Sequence, residues 1–392
     1  MTREEYLISF CQDLIRTPSL SGQEEQVAKL IQTTMLELGF DEATIDCYGS
    51  VLGCIHGSRP GKNILLDGHI DTVDISDRAR WIHDPYGAEI EDGKLYGRGT
   101  SDMKCSVGAM IVAAADFANG CNKDFAGNIY VSCTVHEECF EGVSPRNITK
   151  LCQPDCVIVG EATSTTLKIG QRGRAEVVVM TIGKTCHSSN PDEGVNAVYL
   201  MTALIDEIRK LEVSQHPVLG KGILELTDIV SAPYPGASVV PGMCRATFDR
   251  RLLVGETEAD VLQPIQDIID DLTKRIPNFQ ATVSLARGTE QCWTGETIEA
   301  QRFFPAWLLS ENHWLVQSVS EGLREAGIEA PISHYDFCTN GSHFCGEAGI
   351  PTVGFGPSLE TLGHVIDEYI ELEQLTKSYH GFVSILDKLT RV

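Results

Sequence analysis

NILLDGHIDTV (Asn63–Val73) passes directly from an apolar run into a cluster of ionisable residues. Asn63–Leu66 reads as a short buried strand and Asp67–His69 as the loop that follows it. The same grammar recurs at Asn128–Val135, a β-branched stretch ending in HEECFEG (His136–Gly142), and at Asp155–Val159, which runs into GEAT (Gly160–Thr163). Segments of helical period lie between: Glu4–Ile15, Glu24–Leu38 (closed by Gly39) and the Ala-, Met- and Val-rich Lys104–Phe117. Strands alternating with helices imply a mostly parallel sheet covered on both faces.

From Arg174 the pattern changes. Ala175–Ile182 alternates like a strand and Asn196–Leu211 has helical period. Ile223–Val230 and Arg245–Leu252 read as strands, Glu258–Lys274 as a helix and Gln280–Leu285 as a strand. That βαββαβ order is the ferredoxin-like arrangement. After about Trp293 the α/β pattern resumes with helix Asn312–Ala326, strand Ile350–Phe355 and helix Glu371–Leu389. The expected architecture is one α/β domain in two parts, 1–173 and 291–392, interrupted by a smaller α+β domain, 174–290.

The 392 residues carry 55 Asp+Glu against 31 Lys+Arg, a formal charge of −24 with no basic run, which argues against a nucleic-acid partner. Net charge of this kind serves solubility. The length suits two or three domains, and 42% hydrophobic with 22% charged residues is the composition of folded, globular chains. The longest apolar stretch, Val107–Ala115, falls short of the roughly 18 residues a membrane span needs. MTREEYLISFCQDL at the start is acidic and amphipathic and does not read as a secretory signal. Fourteen dispersed cysteines without a CxxC pair read as free thiols in a reducing cytoplasm.

Five polar clusters fall where strands of such a sheet would end: DGHIDTV, GRGTSDMK (Gly97–Lys104), HEECFEG, GEAT and Gly363–His364. His69 and Asp71, two apart on an extended backbone, point to the same side, and a carboxylate there can take the second ring N–H of a ligating histidine. Asp102 lies just before a helix, a position that also suits an N-cap. Glu137 and Glu138 are adjacent, so their side chains diverge, leaving one to bind a metal and the other to face its water. Glu161 emerges from a buried strand, and His364 lies in a glycine-rich loop. Two histidines with three carboxylates form a mixed N/O set suited to zinc, and a shared carboxylate could bridge two ions. Metal pairs about 3.5–4 Å apart are a device for activating water and stabilising an oxyanion.

These residues, with GRGTSDM, GQRGR, TCHSS, FDRRLLVGET, FFPAW and GFGPS, resemble the dinuclear-zinc amidohydrolase and peptidase family of acetylornithine deacetylase, succinyl-diaminopimelate desuccinylase, aminoacylase and glutamate carboxypeptidase. Within it they are most similar to the branch of peptidases known as selenium-metabolism hydrolases. The resemblance covers essentially the whole chain. It implies an α/β, mostly parallel-sheet zinc-hydrolase catalytic domain with an inserted ferredoxin-like α+β lid and dimerisation domain. It further implies that His69, Asp102 and Glu161 hold one Zn²⁺ and that Asp102, Glu138 and His364 hold a second, with Asp102 as the bridge and Co²⁺ or Mn²⁺ as substitutes. Asp71 would orient His69, and Glu137 would be the general base. His187 of GKTCHSSNP matches a histidine that reaches across a homodimer to the partner's site. Arg251 matches an arginine that grips a substrate carboxylate.

Several positions depart from the family pattern. Cys105 stands where a small glycine is usual, Cys139 follows the glutamate pair, and Ser238 replaces a substrate-contacting asparagine. TNGSHF (Thr339–Phe344) replaces the usual Gly-Thr-Asp substrate loop, which makes Asn340 and Gly341 the candidate substrate contacts there. The expected function is hydrolysis of an amide bond in a small N-acyl amino acid or short peptide. An N-carbamoyl (ureido) acid hydrolase is the alternative, although ureido members tend to place His where Glu161 stands. A non-catalytic metal-binding scaffold is the second alternative, and retention of Glu137 beside five ligands argues against it.

Overall fold

The strand that begins NILL is longer than its apolar run. In the computed structural model, which describes residues 1–391, it spans Arg59–His69, and Asp67–His69 continue the ladder opposite Ser132–Thr134. Backbone pairing carries the strand through its polar end, because ladder bonds are indifferent to side-chain polarity. This strand lies at the centre of a nine-stranded sheet. Ala126–Thr134, Arg59–His69, Cys156–Val159 and Thr352–Gly354 run parallel side by side in that order. Antiparallel strands flank them: Val51–His56 and Glu42–Ile45 beyond Ala126–Thr134, and Leu167–Gln171 with Trp307–Leu308 at the other side.

The chain divides into two compact units, and this sheet belongs to the larger, residues 1–171, 289–300 and 307–392. Its core is built around the helix Lys104–Gly120, whose apolar residues are buried on all sides, from Val107 through Ala115. A helix that is apolar all round must be enclosed, and the helices Arg3–Arg16 and Leu372–Thr390 pack against it. Arg3–Arg16 starts at a capping box in which Thr2 and Glu5 exchange side-chain to backbone bonds. The observed helices fall within a few residues of those expected from periodicity.

The smaller unit comprises residues 172–288 and 301–306. Its sheet runs Ile223–Ala232, Met243–Leu252, Gly173–Ile182, Ala281–Leu285, with every pairing antiparallel. Along Gly173–Ile182 burial alternates residue by residue. Ala175, Val177 and Val179 face the helices Ala197–Ile208 and Glu258–Arg275, while Phe248 and Ala246 add to the same core. This is the ferredoxin-like arrangement. The expected segment 291–392 is interrupted here: residues 301–306 group with the smaller unit because Phe303 and Phe304 pair with Ala175 and Arg174. Among the described residues none of the fourteen cysteines is in a disulfide, and no helix is long and apolar enough to cross a membrane.

Candidate metal centre

Four adjacent parallel strands deliver the polar residues of the larger unit to one edge, at their carboxyl ends, where open α/β sheets place ligands. His69 is the last residue of its strand, Glu137 and Glu138 follow Ala126–Thr134, and Glu161 follows Cys156–Val159. His364 comes from the chain after Thr352–Gly354, and Asp102 from the loop before Lys104–Gly120. The N-cap of that helix is Met103, with no side-chain cap bond. Asp102 is thus free of the capping role its position suggested and points between two histidines.

His69 Nε2 lies 3.0 Å from Asp102 Oδ1 and 3.5 Å from Glu161 Oε1. His364 Nε2 lies 3.1 Å from the other Asp102 oxygen, Oδ2, and 2.9 Å from Glu138 Oε2. Two triads therefore share one carboxylate, each of its oxygens serving a different histidine. The donor atoms of His69, Glu137 and Glu161 lie within 4.8 Å of one another, as do those of His69, Asp102 and Glu138. Gly363 is required beside His364, since a Cβ there would sit 2.9 Å from Asp102 Oδ2. His364 itself has a left-handed backbone (φ 62°), the kind of strain that gathers at functional sites.

The charges explain what such a cluster requires. Burial pushes the Glu137 carboxyl well up, and the neighbouring Glu161, Glu141 and Glu138 add to the effect. Glu138 rises to about 7, from burial and then the charge of Asp102, and Glu161 also rises, chiefly from burial. His364 rises to about 10 through its hydrogen bonds to Asp102 and Glu138. For His69 burial opposes protonation, but hydrogen bonds to Asp102 and Glu161 outweigh it and raise the ring. Burial alone would raise Asp102, yet its bonds to His364 and His69 hold it low. Crowded carboxylates that capture protons are short of positive charge, and the N/O donor set is one that divalent cations satisfy.

His69 is oriented differently from the expectation. Its Nδ1 donates to the main-chain carbonyl of Asp71 at 2.9 Å, whereas the Asp71 carboxylate is 3.6 Å away. That carboxylate is engaged elsewhere: Oδ1 accepts from the Glu137 amide (3.0 Å), and Oδ2 accepts from the Glu138 amide (3.2 Å) and Ser21 Oγ (2.7 Å). The peptide geometry at Asp71 holds His69, and the side chain holds the glutamate pair.

Asn340 and Gly341, expected at the substrate, are buried and committed to the protein. Both Asn340 amide protons are donated, to Asp67 Oδ2 (3.0 Å) and Thr134 Oγ1 (2.9 Å), and its oxygen accepts from the Gly142 amide (3.0 Å). A Cβ on Gly341 would lie 2.7 Å from the Trp307 indole nitrogen. The Asn340 side chain thus seats the loop after Phe140 on the sheet, with each of its polar atoms already bonded. Cys105 is fully buried on the enclosed helix, with Cys11 Sγ 3.6 Å from its carbonyl, and Cys139 is half-buried. Ser21, Asp67 and Thr134 were not singled out from sequence; the only available signal for Asp67 was its place inside DGHIDTV.

His187 and Arg251 belong to the smaller unit. His187 is exposed in a two-residue strand paired with Val239–Val240, and its Nδ1 receives the Ser189 amide at 3.1 Å. Arg251 lies on the sheet face away from the helices, its Nε 2.8 Å from Asp249 Oδ1. Ser238, in the same unit, has a left-handed backbone and accepts from the Ser188 amide.

Histidines and carboxylates gathered at the carboxyl edge of a parallel-centred α/β sheet define a metal-dependent hydrolase. The chain belongs to peptidase family M20/M25/M40, whose profile matches residues 65–388. The protein YgeY of Escherichia coli (strain K12) is 32% identical over 366 residues, covering 92% of this chain and 88% of that protein. Succinyl-diaminopimelate desuccinylase 2 of Ruegeria sp. (strain TM1040) is 30% identical, with 94% and 92% covered. Among solved structures, aminopeptidase PepT from Bacillus cereus superposes with a TM-score of 0.76 at 18% identity, covering 99% of each chain. An M20 family metallo-carboxypeptidase from Sulfolobus solfataricus does so with a TM-score of 0.74 at 16% identity, covering 100% of each. The protein is thus an M20-family hydrolase of peptidase or deacylase type.

Proposed function

We propose that the protein hydrolyses the amide bond of a small N-acyl amino acid or short peptide using two divalent cations, zinc in the first place. His69, Asp102 and Glu161 would hold one ion and Asp102, Glu138 and His364 the other. The observation that carries this reading is the shared carboxylate: Asp102 stands between the two histidines with one oxygen toward each, so one side chain would serve both ions. Bound there, the cations would lower the pKa of water and offset negative charge developing on the amide oxygen.

The remaining chemistry falls to the chain's own residues. Glu137 is buried beside His69 and Glu161, with its amide tied to Asp71, so its main chain is held in place and its proton affinity is high. It takes a proton from the attacking water and returns it to the leaving nitrogen, the base of the first half serving as the acid of the second. Arg251 would recognise a substrate carboxylate, exchanging its contact with Asp249 for the ligand. His187 would add a hydrogen bond to the oxyanion from the partner chain of a homodimer joined through the smaller unit. The Ile223–Ala232 strand supports that pairing: it is a ten-residue sheet edge exposing Ile223, Ile229 and Val230. Fourteen cysteines outside any disulfide support a reducing, cytoplasmic setting.

The test is a panel of N-acetyl, N-succinyl and N-carbamoyl amino acids and dipeptides, assayed with zinc, cobalt or manganese after metal analysis. Turnover of an acyl or peptide substrate that is lost on chelation and restored by metal is the expected result. A metal-free preparation with full activity refutes the mechanism, and turnover confined to carbamoyl substrates refutes the substrate class.

A further inference from the structure

Asp102 sits in a loop without regular structure, Gly97–Asp102, in which Gly97 and Gly99 take positive φ (146° and 87°). The loop's local bonds, from Thr100 to the Gly97 carbonyl and from the Lys104 amide to the Gly99 carbonyl, leave the Gly99, Ser101 and Asp102 amides to a partner elsewhere. The restraint comes from the far end of the chain. Glu368 is fully buried, and its Oε1 accepts the backbone N–H groups of Gly99 (3.1 Å), Ser101 (2.8 Å) and Asp102 (3.1 Å). Its Oε2 accepts from Arg98 Nη1 at 2.6 Å. Converging N–H groups of this kind form an anion-binding concavity, here occupied by a side chain of the same chain.

The main chain around Glu368 continues the clamp. The Gly97 amide donates to the Glu368 carbonyl (2.9 Å), and Ser101 Oγ donates to the Tyr369 carbonyl (2.6 Å). Tyr369–Glu371 pairs antiparallel with Lys94–Tyr96. His364 stands four residues before Glu368 on that same segment. The loop that presents Asp102 and the segment that presents His364 are therefore joined at one carboxylate. Arg98 supplies the countercharge that lets this anion persist out of water, and is itself held over the Trp81 ring at 5.3 Å and by the Asp74 carbonyl at 3.3 Å.

We propose that Glu368 is a positioning residue of the metal centre, setting the Asp102 carboxylate between His69 and His364 by gathering three amides of the Asp102 loop onto the segment that carries His364. The proposal rests on the dinuclear reading above. Bridging geometry tolerates displacements of only about 0.5 Å. Shortening Glu368 or removing its acceptor leaves amides unmatched and lets the loop settle elsewhere, so the loss falls on metal affinity rather than on the fold alone.

Two variants test it. Glu368→Asp keeps the charge and withdraws the acceptor by one methylene. The pair Glu368→Met with Arg98→Met removes the acceptor and both charges together, so that no buried ion is left unpaired if the single variant fails to fold. Zinc is titrated calorimetrically into metal-stripped protein whose far-ultraviolet circular dichroism matches wild type, and the visible spectrum of the Co²⁺-loaded form is recorded. The expected result is weaker zinc binding by about 10–100-fold, the usual effect of losing a group that orients metal ligands, with an altered cobalt spectrum. Folded variants with wild-type zinc affinity and cobalt spectrum, changed only in melting temperature, overturn the positioning role. Wild-type protein that binds fewer than two ions overturns the dinuclear reading itself, whatever the variants do.

Discussion

Replacing Asp71 by Asn separates two ways in which this residue could serve the site. If its carboxylate worked through His69, the substitution would weaken binding of the ion that His69 would hold. The structure instead puts its two oxygens on the amides of Glu137 and Glu138 and on Ser21 Oγ, at 3.0, 3.2 and 2.7 Å, and lets its carbonyl hold His69. Asn cannot satisfy all three donors. With its oxygen toward Glu137, its NH₂ faces Ser21, which can turn to accept, and the Glu138 amide, which cannot. With the amide flipped, the Glu137 N–H is the one stranded. Either way one charge-assisted bond becomes a donor facing a donor in a fully buried place, at a cost of about 2–4 kcal/mol. Part of that is lost stability, read from denaturant unfolding. The remainder displaces whichever glutamate loses its acceptor: kcat should fall by about 10–100-fold through Glu137, and the ion that Glu138 would hold should bind more weakly by a similar factor, while the ion at His69, still held by the Asp71 carbonyl, keeps its affinity within about threefold in competition with a chromophoric chelator. A tenfold or greater loss confined to the ion at His69, with kcat unchanged, would refute this division of labour.

Glu137→Gln should leave two ions bound, by elemental analysis, while turnover falls by at least about 10²-fold; near-normal rates would remove it as the proton carrier. Zinc binding to metal-stripped protein should release protons and tighten as pH rises from 6 to 9, because His364 (about 10), His69, Glu138 (about 7) and Glu161 are all shifted upward and must give up protons to bind. Calorimetry in buffers of different ionisation enthalpy reads the protons, and a pH-independent affinity would contradict the clustering. Lys104→Met should destabilise the fold by about 2–4 kcal/mol near neutral pH, since the buried ammonium donates to the carbonyls of Leu14 (2.8 Å) and Thr17 (2.9 Å), which lose their partner. Burial lowers Lys104 to about 7, so between pH 7 and 10 the unfolded chain holds a proton the folded one has shed. This contribution to wild-type stability rises with pH in that window and is missing in the variant, so the gap should widen by up to about 1.4 kcal/mol per pH unit.

The parts of this molecule legible in its sequence are those in which meaning lies within a few consecutive residues. Apolar strands ending in His, Asp and Glu showed which ends of the sheet matter, and the periodicity change near Arg174 marked a second kind of structure. Local rules left Asp102 open between cap and ligand, because an acidic residue ahead of a helix has the same signature whether it caps that helix or turns away from it. Only the partners settle this, and His364 stands 262 positions further along the chain. Asn340 was misplaced for the same reason. A polar residue in a loop looks available until the Asp67, Thr134 and Gly142 groups that use up its amide are known.

Glu368 is the extreme of this trend and shows why the supporting layer of a site is hard to read from sequence. It stands in a run, HVIDEYIELE, in which acidic residues look interchangeable. Its neighbour Asp367 accepts the Ile82 and His83 amides, Glu371 is the N-cap residue of the last helix and Glu373 lies in that helix's first turn, while Glu368 reaches Gly99, Ser101 and Asp102. What distinguishes it is that the Tyr369–Tyr96 pairing buries it against a loop whose amides have no helix or strand to bond to. Orphaned backbone donors in a buried loop must find an acceptor, so the need that selects Glu368 is created by the irregular backbone carrying Asp102. A catalytic loop freed from regular structure in order to aim one carboxylate thus calls for a second, buried carboxylate to hold it. The search for such supports in related folds should begin from the unsatisfied amides of the ligand loops rather than from the acidic residues themselves.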